Sequence, residues 1–98
     1  MKKKKSKWKV YMIKCKNSFL YTGISTDVER RFIEHQYNDK KASKYCKLNR
    51  PLKLVYVSDF FNNRSCASKE ECRIKKLDRK KKMFLVENKK KPDEVSGF

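Results

Sequence analysis

Two short runs, WKVYMI at residues 8–13 and FLYTGI at residues 19–24, do most to narrow what this chain can become. Both are rich in aromatic and β-branched residues, which fit the pleated surface of a strand. Between them lies Cys15-Lys16-Asn17-Ser18, where Asn and Ser can hydrogen-bond their own backbone and turn the chain. Two such runs across so short a polar turn predict an antiparallel hairpin. Thr26-Asp27-Val28-Glu29 then reads as a capping box that opens a helix through about Tyr37. Residues 38–50 are polar and basic, with a short helical turn expected around Lys44. After Pro51, Leu52-Lys53-Leu54-Val55-Tyr56-Val57 alternates as a third strand. A turn over residues 61–64 leads to a second helix at about 65–82, with 83–87 as its short apolar continuation. The expected fold is α+β in the order β-β-α-β-α, a three-stranded, mainly antiparallel sheet flanked by helices.

A length of 98 residues without an internal repeat allows one domain, expected over residues 8–88. Residues 1–7 (MKKKKSK) read as a basic arm and residues 89–98 (KKKPDEVSGF) as a polar tail. No apolar stretch reaches the roughly 18 residues a membrane span needs. The lysines after Met1 lead into no apolar core of a secretory signal. The expectation is an intracellular protein of cytoplasm or nucleoid, not secreted, whose four cysteines are free thiols. With 30, 19 and 5 residues between successive cysteines there is no close pair, which argues against a zinc-stabilised module.

The chain carries 28 Lys and Arg against 11 Asp and Glu, a formal charge of +17. Such an excess points to a polyanion, with nucleic acid as the default partner. Charge alone does not separate an enzyme from a non-catalytic binder. Residue types discriminate better. Gly23 is the only glycine outside the tail, and near a strand end it marks an unusual backbone angle or a close approach. Tyr11 and Tyr21 sit on the two paired strands. Arg31 and His35 are spaced i, i+4 on one face of the first helix, at the edge of the stripe formed by Val28 and Phe32. On the second helix, Ala67, Ile74 and Leu77 define an apolar stripe, with Glu70 inside its arc and Glu71 at its border. A carboxylate there is either an ion-pair member or a metal ligand, and spacing alone leaves the two glutamates tied.

Taken together these residues resemble the GIY-YIG nuclease superfamily, and within it the small single-domain, YhbQ-like (UPF0213-type) branch. Its two signature strands appear as Val10-Tyr11-Met12 and Tyr21-Thr22-Gly23, with Thr22 where the name motif has Ile. The run from Leu20 through Arg30-Arg31-Phe32-Ile33-Glu34-His35, then Lys44-Tyr45, Arg50-Pro51-Leu52 and Glu71-x-x-Ile74-Lys75, completes an ordered set over about residues 8–86.

The resemblance implies metal-dependent hydrolysis of DNA phosphodiesters, with Tyr11, Tyr21, Arg31, His35 and Glu71 as catalytic residues. Glu71, four positions after the family-like small residue Ala67, would hold one divalent ion, Mg²⁺ or Mn²⁺. Arg31 would neutralise charge on the phosphate. A tyrosine, Tyr11 or Tyr21, would position or deprotonate the attacking water, and His35 would hydrogen-bond one of them. An ordinary tyrosine titrates near ~10, so that role requires cations such as Lys9, Lys14, Arg31 and the metal to lower it. Gly23, Lys14, Arg30 and Lys44 are the expected DNA contacts, and a side chain at Gly23 would obstruct the strand to be cut. One domain without an appended reader implies low sequence specificity or recognition of DNA structure, by a monomer or homodimer or with a protein partner, in repair or recombination. The alternative is a non-catalytic basic nucleic-acid-binding module on the same fold.

Overall fold

A computed structural model of the chain describes residues 7–88. The basic arm (Lys7 excepted) and the polar tail therefore lie outside the described residues. The hairpin forms as expected, from β1 (Lys9–Lys14) and β2 (Leu20–Ser25). Its turn closes with Ser18 N–H to the Cys15 carbonyl at 2.8 Å and Phe19 N–H to Asn17 Oδ1 at 3.2 Å. Ser18 takes φ 70°, the left-handed region that short polar residues tolerate better than bulky ones. β3 (Lys53–Val57) pairs antiparallel with β1 on its other side, giving the order β2-β1-β3 with β2 at an edge. A bulge between Met12 and Ile13 lets Val55 fall outside the regular pairing.

Helix α1 (Val28–Tyr37) begins one residue later than a capping box would place it. The cap is Asp27, whose Oδ1 accepts from Arg30 N–H at 3.1 Å, while Ser25 Oγ accepts from Asp27 N–H at 2.9 Å. The short turn near Lys44 is a helix, α2 (Lys44–Leu48), capped by Ser43. The second long helix is two. α3 (Arg64–Lys75), capped by Asn63, ends before Leu77. α4 (Arg79–Asn88) restarts with Asp78 Oδ1 accepting from Lys81 N–H at 2.9 Å. The apolar run at residues 83–87 thus belongs to a separate helix; its restart signal was the side-chain acceptor of Asp78.

The strand alternation of β1 sorts the core into two layers. Tyr11, Ile13 and Cys15 pack with Val28, Cys46 and Leu52 beneath α1 and α2. Val10 and Met12 pack with Leu20, Tyr56 and Ile74 beneath α3 and α4. Each fully buried large side chain contributes about 1.5–3 kcal/mol, which is what holds the helices on the sheet. Among the described residues, no helix is long and apolar enough to cross a membrane.

Candidate active site

The register Tyr11↔Gly23 and Ile13↔Tyr21 puts both tyrosines on the α1 side of the sheet, diagonally across the hairpin. Gly23 has no positive φ. A Cβ there would lie 2.5 Å from Tyr11 Oη and 2.7 Å from its Cζ. The close approach expected at Gly23 is therefore to its cross-strand partner: the missing side chain is the space into which the Tyr11 phenol reaches. That supplies an internal steric reason where obstruction of DNA was expected.

Helix α1 lowers His35 into the layer beside them, fully buried. Its Nε2 lies 3.1 Å from Tyr11 Oη, and Ser43 N–H donates to its Nδ1 at 3.1 Å. Tyr21 meets the imidazole edge-on, with centroids 5.3 Å apart. Arg50 Nε donates to the His35 carbonyl at 2.9 Å, and Arg50 Nη1 to Asp39 at 2.6 Å. Burial, aided by Arg31 and Arg50 and opposed by Glu34, brings the His35 pKa down to about 4. The ring is neutral at pH 7.

Arg31, one turn before His35, donates through Nη1 to Glu34 Oε1 at 2.9 Å and to the Lys41 carbonyl at 2.7 Å. Its charge reaches both tyrosines. Glu34 also takes Arg30 at 2.7 Å and Lys41 at 4.0 Å, and with a side chain only 12% exposed it stays ionised, held low above all by Arg31. The lowered tyrosine pKa expected from surrounding cations is not what Tyr11 shows. Burial, and next the neighbouring Tyr21, push it well above the ordinary value, and the pull of Arg31 does not compensate. At 1% exposure the phenolate loses more hydration than one guanidinium returns. Lys14 alternates onto the opposite face of β1 and is no part of that field.

Glu71 stands on α3, across the sheet from this cluster. It shares a stripe with the fully buried Ala67 and Ile74, at i+4 and i−3, and α3 packs against β2 and β1. Glu71 is 19% exposed and meets Lys75 Nζ at 3.3 Å. Glu70 is held through both oxygens by Arg73, at 2.8 and 2.6 Å. A carboxylate offers about four lone-pair sites, so Glu71 keeps capacity for a hard divalent ion whereas Glu70 is committed. Among the described residues no three His, Cys, Asp or Glu side chains converge as a zinc cage requires. Arg30 and Lys44 are exposed, Arg30 on the outer side of α1 and Lys44 at the start of α2. The structure thus gathers Tyr11, Tyr21, Arg31 and His35, and leaves Glu71 on the other flank of β2.

Three participants went unread in the sequence. Glu34 could have been found as an acid three and four residues beyond Arg31 and Arg30. Arg50 reaches His35 across a loop, and Ser43 acts through its backbone; neither has a local signal.

Residues 7–83 match the family of the GIY-YIG catalytic domain. The chain belongs to the GIY-YIG family. It is 43% identical over 77 residues to the UPF0213 protein SSP2268 of Staphylococcus saprophyticus, covering 79% of this chain and 90% of that one. It is 38% identical over 85 residues to the UPF0213 protein YazA of Bacillus subtilis, covering 87% and 83%. Its structure is similar to the solution structure of the UPF0213 protein BH0048 of Bacillus halodurans, with TM-score 0.55, 36% identity and coverage of 92% and 93%. The YhbQ-like branch is therefore the right one, and the GIY-YIG fold is that of a nuclease-type family. The names of these relatives state no activity.

Proposed function

We propose that this GIY-YIG protein is a metal-dependent DNA endonuclease that hydrolyses phosphodiester bonds. The observation that carries the reading is the convergence of Tyr11, Tyr21, His35 and Arg31 on one face of the sheet beside its edge strand β2. A DNA strand laid along that edge meets Arg31 from one flank and Glu71 from the other. Arg31 binds a non-bridging phosphate oxygen and balances the charge that grows in the transition state. To do so it must share the guanidinium now engaged by Glu34 and Lys41. Tyr21, less buried than Tyr11, and Tyr11 itself orient the attacking water through their hydroxyls. His35 holds the Tyr11 oxygen in place. Glu71 would hold the divalent ion, Mg²⁺ or Mn²⁺, which supplies positive charge to the phosphate and the leaving 3′-oxygen when bound.

Exposed cations such as Arg30 and Lys44, together with the +17 charge, favour the phosphate backbone over any particular base. One such site cuts one strand at a time, so double-strand cleavage needs a homodimer, a second event or a protein partner. An intracellular role in DNA repair or recombination, on structured or weakly specified DNA, suits this chemistry.

The test is supercoiled plasmid and branched DNA with Mg²⁺ or Mn²⁺, with and without EDTA. Wild type nicks, EDTA stops it, and Arg31→Ala lowers the rate at least ~100-fold. Glu71→Gln abolishes metal-dependent cleavage while Glu70→Gln retains it; the reverse pattern would refute the ligand assignment. Salt-sensitive binding without cleavage of any of these substrates would favour the non-catalytic binding module instead.

A further inference from the structure

We infer that the backbone N–H of Ser43 fixes His35 as the tautomer with its proton on Nε2, which makes the Tyr11 oxygen an acceptor from His35. Ser43 is thereby a positioning residue of the site, an assignment that deepens the nuclease reading and rests on it for its consequence in cleavage.

A backbone N–H can only donate, so the Nδ1 atom that receives it at 3.1 Å must carry a lone pair. The ring is neutral at pH 7, because its pKa lies at about 4. A neutral imidazole has one proton, and it is left only Nε2. Nε2 lies 3.1 Å from Tyr11 Oη, so this bond runs from His35 to Tyr11. The phenol then keeps its own proton for a different acceptor. In the free protein His35 cannot take that proton, since its one free lone pair is already covered by Ser43.

The position of Ser43 is itself well determined. Its Oγ accepts from Cys46 N–H at 3.2 Å as the cap of α2, and Ala42 N–H donates to the Asn38 carbonyl at 2.9 Å. Two residues earlier, the Lys41 carbonyl takes Arg31 Nη1 at 2.7 Å. A single connection between α1 and α2 thus orients His35 through an N–H and Arg31 through a C=O. Both groups are main-chain, so the device survives changes of side chain and leaves no residue signature.

The chain has one histidine, so ¹⁵N labelling of histidine in the full protein gives an unambiguous pair of ring resonances. The expected spectrum between pH 6 and 8 shows an unprotonated Nδ1 and a protonated Nε2. A proton on Nδ1, or an averaged pair, would overturn the inference. Two variants assign the cause. Ser43 sits at φ −63°, the angle proline imposes, so Ser43→Pro removes the N–H without demanding a new φ. Ser43→Ala keeps the N–H and loses only the side-chain cap. The Ala variant should keep the Nε2 tautomer, and the Pro variant should give a mixture. If Ser43→Pro retained a pure Nε2 tautomer, Ser43 would not be the lock. Should Ser43→Pro fail to fold, the wild-type and Ser43→Ala spectra still decide the tautomer. In cleavage, Ser43→Pro should fall about tenfold below Ser43→Ala, the weight of one oriented hydrogen bond. A protein that does not cut DNA would still report its tautomer, so failure of the nuclease reading and failure of this one are separable.

Discussion

The two faces of the sheet are built from the same strands and do different work. Beneath α3 and α4 the layer is mostly hydrocarbon: Val10, Met12, Leu20 and Ile74, with Tyr56 as its one buried phenol and an edge of Val55, Met83 and Leu85. Among its few polar side-chain atoms beside β1 is Thr22 Oγ1, which has no hydrogen-bond partner among the described residues. Beneath α1 and α2 the layer holds a phenol, an imidazole and two thiols at equal depth, with the polar atoms of Tyr11 and His35 hydrogen-bonded. Burying polar groups costs unless each finds a partner. The α1 face offsets that cost at Tyr11 and His35 by pairing them, whereas the α3 face limits it by holding few polar atoms. Alternation in β1 is what separates them: even-numbered residues anchor the domain, odd-numbered residues shape the site.

If that division is right, damage to the two faces should look different. Ile74→Ala removes a fully buried side chain from the anchoring face. It should cost about 2–5 kcal/mol in urea or thermal unfolding, yet leave the Tyr11–His35 bond on the other face intact, read from the ring ¹⁵N resonances of the one histidine. Shifted or averaged His35 ring resonances in fully folded Ile74→Ala protein would show that the faces are coupled.

Gly23→Ala tests the site face with the smallest possible intrusion. The added Cβ cannot sit 2.5 Å from Tyr11 Oη, and a ring fixed between strands has little room to retreat. We expect about 1–3 kcal/mol of destabilisation together with loss of cleavage. Tyr11→Phe in the same chain should rescue stability only in part, because Cζ is itself 2.7 Å from the new atom. Unchanged stability of Gly23→Ala would mean that the glycine matters only to the DNA.

These contrasts also explain what could be read from the sequence. The hairpin, α1 and β3 were legible because short polar turns, a side-chain cap and strand alternation are local signals. Tyr11, Tyr21, Arg31 and His35 could be nominated through the resemblance to the GIY-YIG superfamily, since spacing alone only put Arg31 and His35 on one helix face. What was not legible came from outside the local window. The break between α3 and α4 hides in a continuous run of helix-forming lysines, where Asp78 interrupts only by supplying a side-chain acceptor. The raised pKa of Tyr11 follows from complete burial, which no count of nearby cations reveals. The contact that Gly23 avoids depends on strand register, and the lock on His35 depends on a main-chain N–H that every residue except proline possesses.

The smallest effect isolates the buried imidazole by pH. His35 titrates near ~6.5 in an unfolded chain and at about 4 in the fold, so between those values the unfolded state binds the extra proton. Stability is then full above about pH 6.5 and declines as pH falls toward 4. Between pH 7 and 5 the loss should be about 1–2 kcal/mol. Protonation would place a charge in a layer already faced by Arg31 and Arg50, with only Glu34 to favour it, and would break the bond from Ser43. The carboxylates of Glu34, Asp39 and Glu70 are held below their ordinary value by arginine partners, so their contribution is lost only at lower pH. His35→Gln, which does not titrate, should therefore flatten the pH 5–7 limb of a urea-denaturation series and leave the acid limb in place. Persistence of the full slope in that variant would assign the proton uptake to some other group, and the neutral, doubly bonded histidine would lose its thermodynamic support.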